Sequence, residues 1–313
     1  MSSLNSHAKD LARFWKGRIL WDSPMSQFST FKVGGPAEAI LTVSNTGELQ
    51  SLIQWLKKYE IDWWIVGRGS NILVPDRGLA GVIIILEGEF RSIEKLPADP
   101  HTPQKEKVFI RAGGGCLLLK LVRYCTGQSL SGLEFANGIP GSIGGAIVMN
   151  AGAWGQEIGS LVDAVVLMDS NGNIFSEEGQ NLGFIYRKWS MPKNTIVLSA
   201  TLRLTPGNKD EIIALCRKYQ ELRRKNQPIA EASAGSFFKN PPADSAGRLI
   251  DQAGLKGFSI GGAKISEKHA NFIVNTGKAS ATDILNLMQV VQLEVYKRFG
   301  IELEPEVHIL EDK

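Results

Sequence analysis

Three polar residues in the second half of the chain could act together on a substrate that carries a carboxylate. They are Arg187 in FIYRKWS, Ser236 in SAGSFFKNP and Glu306 in LEPEVHIL. A guanidinium binds a carboxylate through paired hydrogen bonds, while a hydroxyl and a carboxyl group can donate or share a proton. Each residue also has an ordinary explanation: a surface ion pair, a turn hydroxyl or a solvated strand residue. Residue types alone leave both explanations open.

Two glycine-rich segments have the composition of anion-binding turns. In VGRGSN, glycines after a strand allow backbone N–H groups to converge, and two side chains add donors; its candidate ligands are Gly67, Arg68, Gly69, Ser70 and Asn71. In the second segment a proline stiffens the turn and the following residues can begin a helix, whose N-terminus favours negative charge; its candidates are Ile139, Pro140, Gly141, Ser142, Gly144 and Gly145. Either segment alone could simply connect strands, but together they predict a dinucleotide site.

Several other nucleotide and hydrolase signatures are absent or out of context. Neither segment is a G-x-G-x-x-G that opens a helix, and there is no G-x-x-x-x-G-K-[ST], which disfavours a Rossmann dehydrogenase or a P-loop kinase. Residues 257–261, GFSIG, match the G-x-S-x-G of serine hydrolases. That motif needs a buried strand before it and a helix after it. Here a loop feeds a short strand, so we interpret the match as coincidence.

Composition narrows the class of protein further. A chain of 313 residues with 43% hydrophobic residues and a net charge of +3 predicts two or three globular lobes, without the basic face of a nucleic-acid-binding protein. No stretch approaches the length of a membrane span, and no export signal is recognisable, so we expect a cytoplasmic protein. The spacing of the histidines predicts no metal site. The three cysteines predict buried thiols: Cys116, Cys125 and Cys216.

Periodicity and turn residues predict the elements that must position these groups. TGELQSLIQWLKKYE has one apolar helical face, VDAVVLMDSNGNIFS predicts a hairpin, and two long helices are expected after Pro206-Gly207. The first of these helices ends before Pro228, and the second ends at Gly300. The polar segment EKLPADPHTPQKEK predicts a surface loop, and LEPEVHIL a final strand.

The chain resembles the UDP-N-acetylenolpyruvoylglucosamine reductase family from about Phe31 to Leu310. The resemblance is carried, in order, by TFKVGGPA, VGRGSN, GLEFANGIPGSIGGAIVMNAG, YR, SAGSFFKNP, AGRLIDQAGLKG, IGGAKISEKHANFIVN and LEPEV. It implies an α+β fold, with a two-lobed FAD-binding domain of the vanillyl-alcohol-oxidase (PCMH) type and a C-terminal α+β substrate-binding domain. The expected division is an extension over 1–30, the FAD-binding domain over 31–207 with lobes at about 31–88 and 89–207, and the C-terminal domain over 208–313.

The resemblance also implies an activity. NADPH would reduce FAD and leave, and the reduced flavin would then deliver hydride to UDP-N-acetylglucosamine enolpyruvate. Arg187 and Glu306 would stabilise the enolate-like intermediate, and Ser236 would protonate its α-carbon. Preorganised donors for the developing charge make such a step feasible. Arg223, Asn240 and Gln252 match positions associated with the UDP-sugar. We expect a monomer that acts on this small molecule, without nucleic-acid or membrane partners.

The sequence departs from the family pattern at three points. Trp189 stands two residues after Arg187, where relatives usually have serine, and His308 stands where arginine is frequent. The proton donor is serine rather than the cysteine of some relatives. The short spacing from Arg187 to Ser236 excludes the tyrosine-bearing insertion of the other subtype, which implies the compact type II group.

Two alternatives compete with this interpretation. One is another oxidase or dehydrogenase of the same flavin fold, and the other is a flavin-binding protein without catalysis. The motifs LEPEV and SAGSFFKNP disfavour the first. The presence of all three candidate catalytic residues disfavours the second.

Overall fold

The computed structural model describes residues 3–97, 107–192 and 194–312. Residues 98–106, which form most of the predicted polar loop, lie outside the described residues. The helices are α1 (Ser3–Phe14), α2 (Thr46–Lys58), α3 (Leu118–Gly127), α4 (Ile143–Val148), α5 (Lys209–Asn226), α6 (Ala246–Gln252) and α7 (Ala281–Phe299).

The strands are mostly short. They are β1 (Ile19–Pro24), β2 (Pro36–Val43), β3 (Trp63–Ile65), β4 (Ile72–Leu73), β5 (Leu79–Leu86), β6 (Ile93–Lys95), β7 (Val108–Gly113), β8 (Leu130–Ser131), β9 (Gly152–Ala153), β10 (Gln156–Glu157), β11 (Val162–Met168), β12 (Ile174–Glu178), β13 (Phe184–Ile185), β14 (Lys188–Trp189), β15 (Ile196–Pro206), β16 (Ala232–Ser233), β17 (Ser259–Ile260), β18 (Ala263–Ile265), β19 (Ile273–Asn275) and β20 (His308–Ile309).

The chain forms two compact units, each assembled from separate stretches of sequence. The first comprises Met1–Ile19, Leu41–Gly67 and Ile83–Glu221, and the second Leu20–Ile40, Arg68–Val82 and Leu222–Lys313. The domains expected from the sequence were continuous, and their boundaries stay a prediction. A four-stranded sheet has the order β1-β2-β5-β3.

The core of the first unit packs around a six-stranded antiparallel sheet. Its order is β12-β11-β15-β7-β6, with β8 paired to the end of β15. The hairpin of β11 and β12 confirms the prediction from Ser170 to Asn173, since Gly172 adopts the positive φ that the tight turn requires. The apolar face predicted for α2 is also confirmed, and its buried residues are Leu49, Leu52, Ile53 and Leu56.

The second unit packs α6 and α7 against a four-stranded sheet of order β16-β19-β18-β17. Helix α7 begins with a capping box at Ser280 and Asp283. It ends at Gly300 in the left-handed conformation, as the sequence predicts. The prediction that LEPEVHIL forms a strand is wrong over most of the segment. Only His308–Ile309 forms a strand, paired in parallel with β4, because Pro305 cannot donate to a ladder and makes a single bridge with Phe238.

Candidate active site

The two predicted glycine segments meet at Gly67 and Ser142 in the first unit. A Cβ atom placed on Gly67 would lie 2.2 Å from Ser142 Oγ, so a larger residue there would require the Ser142 side chain to move. Ser142 is also the N-cap of α4, because its hydroxyl accepts from Gly145 N at 3.4 Å. The surfaces of Gly67, Pro140 and Gly145 are exposed. The contact therefore leaves side-chain-free backbone at the surface, where a phosphate group could approach closely.

The N-terminus of α4 differs from the expectation. Ile143 N donates to Cys116 O and Gly144 N to Gly114 O, both at 2.8 Å. These two amides already have acceptors within the protein, and binding of a diphosphate at the start of α4 stays a prediction. In the described part of the chain, the amides of Gly141 and Ser142 have no such acceptor. The turn that precedes α4 therefore offers the backbone amides of Gly141 and Ser142 to the phosphates of a dinucleotide.

In the second unit, the Arg68–Asn71 part of the VGRGSN segment is fixed by backbone contacts. Gly69 has a φ of 63°, and a Cβ there would lie 1.9 Å from Phe28 O. Its carbonyl accepts from Thr30 N at 3.0 Å, and Thr30 Oγ1 donates to Ser233 O at 2.8 Å. Asn71 uses its side chain elsewhere: Nδ2 donates to Glu306 O at 3.0 Å. Arg68 is exposed and Ser70 half-buried.

Ser236 and Glu306 lie on two antiparallel segments that touch. Glu306 N donates to Phe237 O at 2.8 Å, and Lys239 N donates to Glu304 O at 2.9 Å. Both candidate residues are half-buried, beside aromatic residues that are fully buried. A Cβ on Gly235 would meet no atom within 4 Å, so open space adjoins Ser236. The structure thus places the predicted proton donor and the predicted glutamate on neighbouring backbone segments.

A buried asparagine that the sequence did not single out supports this pair. Asn271 is 3% exposed, its Oδ1 accepts from Phe238 N at 2.9 Å, and its Nδ2 donates to Phe238 O at 2.8 Å. Its own carbonyl accepts from Phe237 N. His269 Nδ1 accepts from Asn271 N at 3.2 Å, which requires that nitrogen to be unprotonated. Desolvation, and secondarily the charge of Lys256, lowers the pKa of His269.

Arg187 lies in the first unit, at the tip of the β13–β14 hairpin. It occupies the second position of a two-residue turn with a φ of 55°, and its guanidinium lies 5.2 Å from the ring centre of Tyr186. Trp189 closes the hairpin by pairing and stacking with Phe184 at 5.4 Å, and it is only 4% exposed. Trp189 thus stabilises the hairpin by packing.

The three predicted substrate residues belong to the second unit and lie at the end of α5 and at the two ends of α6. Arg223 is 9% exposed, and its Nη1 donates to Gln227 Oε1 at 3.4 Å. Asn240 Oδ1 accepts from Ala246 N at the start of α6. Gln252, at the other end of α6, accepts from Arg248 Nη1 at 2.8 Å.

His308 is exposed on β20, yet desolvation by surrounding protein and the charge of Lys239 lower its pKa. All three cysteines are buried thiols, as predicted. Among residues 3–97, 107–192 and 194–312, no group of three His, Cys, Asp or Glu side chains has the arrangement of a metal site. No described helix has the length and apolar character needed to cross a membrane.

Comparison with known proteins agrees with this arrangement. Residues 37–176 match the family profile described as an FAD binding domain, and residues 227–310 match that of the UDP-N-acetylenolpyruvoylglucosamine reductase C-terminal domain. The reductase of Clostridioides difficile (strain 630) is 43% identical, covering 94% of each chain. Reductase 1 of Bacillus thuringiensis subsp. konkukian (strain 97-27) is 40% identical, covering 94% of this chain and 95% of its own.

A solved structure is similar along nearly the whole chain. The UDP-N-acetylenolpyruvylglucosamine reductase of Thermus caldophilus superposes with a TM-score of 0.79 at 36% identity, covering 95% of this chain and 99% of its own. The predicted fold class is confirmed: an α+β protein with an FAD-binding domain of the vanillyl-alcohol-oxidase type and a C-terminal α+β domain. Such a fold defines an FAD-containing oxidoreductase. The chain belongs to the UDP-N-acetylenolpyruvoylglucosamine reductase family.

Proposed function

We propose that this protein uses NADPH to reduce UDP-N-acetylglucosamine enolpyruvate to UDP-N-acetylmuramate, a step of peptidoglycan precursor synthesis in the cytoplasm. The observation that carries the proposal lies in the C-terminal domain. Ser236 and Glu306 both fall within the matched residues 227–310, on segments joined by the 2.8 Å bond from Glu306 N to Phe237 O. A serine and a glutamate on neighbouring segments suit a reaction that needs a proton and an oxyanion donor.

FAD, when bound, would supply the hydride that NADPH has provided. The proposed ligands on this chain are Gly67, Arg68, Gly69, Ser70 and Asn71, with Ile139, Pro140, Gly141, Ser142, Gly144 and Gly145. The close approach of Gly67 to Ser142 supports this assignment, because it keeps both segments free of bulky side chains at their contact.

The chain's own residues would then manage charge and protons. Addition of hydride to the methylene carbon of the enolpyruvyl group breaks its double bond and moves an electron pair toward the substrate carboxylate. Arg187 would bind that carboxylate through paired hydrogen bonds. Glu306 can stabilise the developing oxyanion only as a donor, so it must carry its proton during this step. The Ser236 hydroxyl would transfer its proton to the α-carbon and recover one from solvent through the open space beside Gly235.

Recognition of the nucleotide would involve Arg223, Asn240 and Gln252. All three belong to the second unit, and Asn240 and Gln252 lie at opposite ends of α6, a helix of seven residues and about 10 Å. A guanidinium suits a diphosphate, and the two amides can both donate and accept hydrogen bonds to a base or sugar.

Separate measurement of the two half-reactions tests the proposal. We expect Ser236→Ala to leave reduction of the flavin by NADPH unchanged and to slow its reoxidation by the enolpyruvyl sugar by roughly 10²–10⁴-fold, the usual contribution of a general acid. Ser259→Ala, on an exposed strand of the same unit, is the control. Equal slowing of both half-reactions would remove Ser236 from the role, and a purified protein that takes up no flavin would refute the enzyme assignment.

A generic flavin oxidase would behave differently in the same assay. It would return electrons to oxygen at a rate independent of the enolpyruvyl sugar. We expect steady NADPH consumption only when that sugar is present, in an amount equal to the lactyl ether formed.

A further inference from the structure

The hairpin tip that carries Arg187 is poorly supported by its own residues. Strands β13 and β14 have two residues each, and so short a ribbon is marginal alone. Ile185 and Tyr186 are 55% and 46% exposed. Arg187 also adopts a left-handed φ, which is unfavourable for a residue with a Cβ and persists only where the surroundings impose it.

Asn150, just after the C-terminal end of α4, supports this hairpin. It is 1% exposed, and its side-chain amide has three hydrogen bonds within the first unit. Nδ2 donates to Ile185 O at 2.9 Å and to Glu157 Oε2 at 2.7 Å, and Oδ1 accepts from Gly159 N at 2.9 Å. The bond to Ile185 O holds the hairpin backbone two residues before Arg187.

The same asparagine organises the strand pair beside the guanidinium. Glu157 lies on β10, which pairs with β9 at Gly152. A Cβ on Gly152 would lie 3.1 Å from Arg187 Nη1, so the guanidinium packs against this backbone. Asn150 is therefore bonded both to the hairpin that presents Arg187 and to the hairpin against which Arg187 packs.

We infer that Asn150 is a positioning residue that fixes the Arg187 guanidinium for the reaction with the enolpyruvyl substrate. The inference rests on the proposed function, because it assumes that Arg187 acts on that substrate. Asn150 need not touch the substrate itself. Its effect belongs to the second half-reaction, where a misplacement of about 1 Å can cost on the order of 100-fold in rate.

Asn150→Asp tests the inference with little change of shape. The introduced carboxyl group keeps the acceptor for Gly159 N but loses both donors and faces Glu157. We expect flavin reduction by NADPH to be unchanged and reoxidation by substrate to slow about 10–100-fold, with a much smaller change in substrate affinity. Two adjacent carboxyl groups share a proton more readily as the pH falls. That proton restores the hydrogen bond to Glu157, whereas the bond to Ile185 O stays lost, so the defect should shrink only in part toward acidic pH.

Asn173→Asp is the matched control. Asn173 Nδ2 also donates to a carboxylate, Asp169 Oδ2 at 2.9 Å, but in an exposed turn of the same unit. We expect this variant to show neither the rate defect nor its pH dependence. Asn150→Ser, which adds no charge, is a second variant in case the aspartate prevents folding. If no Asn150 variant folds with bound flavin, the residue is a folding determinant and the inference is overturned.

A double-mutant cycle with Arg187→Ala separates the possible failures. If Asn150 acts through Arg187, its substitution should add little once the guanidinium is gone. An Arg187→Ala variant with undiminished reoxidation would overturn the role of Arg187 in the proposed function. A strong Arg187→Ala defect, combined with an Asn150 effect that is absent or fully additive, would overturn only the present inference.

Discussion

The side-chain amide of Asn71 donates a 3.0 Å hydrogen bond to the backbone carbonyl of Glu306. Asn71 is a predicted cofactor ligand and Glu306 a predicted catalytic residue, and His308 N in turn donates to Asn71 O. The end of the glycine segment and the candidate catalytic glutamate therefore share one backbone support. Within the second unit, the candidate cofactor-binding and catalytic residues are not independent.

Asn71→Ala should weaken this support. We expect the free energy of unfolding to fall by about 1 kcal/mol for the lost hydrogen bond. The rate of flavin reoxidation by substrate should fall on the order of 10-fold, since the Glu306 backbone can shift. Gln292→Ala is the control, because Gln292 also donates to a nearby carbonyl, Leu303 O at 2.9 Å. An unchanged reoxidation rate would show that this bond does not position Glu306.

Gly67→Ala should impair flavin binding. The new methyl group would lie 2.2 Å from Ser142 Oγ, so the Ser142 side chain or the two glycine segments must move. We expect the dissociation constant for FAD, measured by titration of the apoprotein, to rise at least about 10-fold, which is 1.4 kcal/mol. Gly127→Ala should have no effect, since a Cβ there meets nothing within 4 Å. Partial recovery in Gly67→Ala combined with Ser142→Gly would identify the clash as the cause.

Acid should destabilise the protein through His269. Its pKa is lowered in the folded state, so below about pH 6.5 the unfolded chain binds the extra proton first. Stability therefore falls as the pH decreases from 6.5, by at most ~1.4 kcal/mol per pH unit for one proton. We expect His269→Gln to flatten the dependence of unfolding free energy on pH between 7.5 and 5.5. The same slope in both proteins would contradict this assignment.

The three thiols should be unreactive in the native protein. Burial raises the pKa of Cys125 to about 12, with smaller contributions from Glu134 and Cys116, and burial also raises the pKa of Cys116 and Cys216. Because the thiolate is the reactive form, a thiol reagent at neutral pH should label all three only after denaturation. Rapid labelling of the folded protein would indicate local opening around these residues.

Much of the fold could be predicted because it depends on local patterns. Helix α2 follows from an apolar residue every third or fourth position, and the β11–β12 hairpin from an asparagine-glycine turn. Helix α1 was missed within the predicted extension; its fully buried anchors are only Leu4 and Leu11, seven positions apart. LEPEVHIL has the composition of a strand, but Pro305 removes the donor that a strand would need.

Only part of the candidate site could be predicted from the sequence. Arg187, Ser236 and Glu306 could be singled out by type and by resemblance, whereas their supports could not. Asn150 and Asn271 are buried amides whose partners lie up to 35 residues away. Nothing in their neighbourhoods indicates those partners, because the bonds exist only after the chain has folded.

The pairing of β4 with β20 has a consequence during synthesis. Asn71 precedes its partner Glu306 by 235 residues. At a translation rate of 5–20 residues per second, this early segment emerges roughly 10–50 seconds before the strand it must meet. We therefore expect β4 and β20 to pair late in folding, since contacts between residues distant in sequence form slowly. A chain released before Glu306 is made leaves β4 without β20, so the second unit can be completed only after nearly the whole chain has been synthesised.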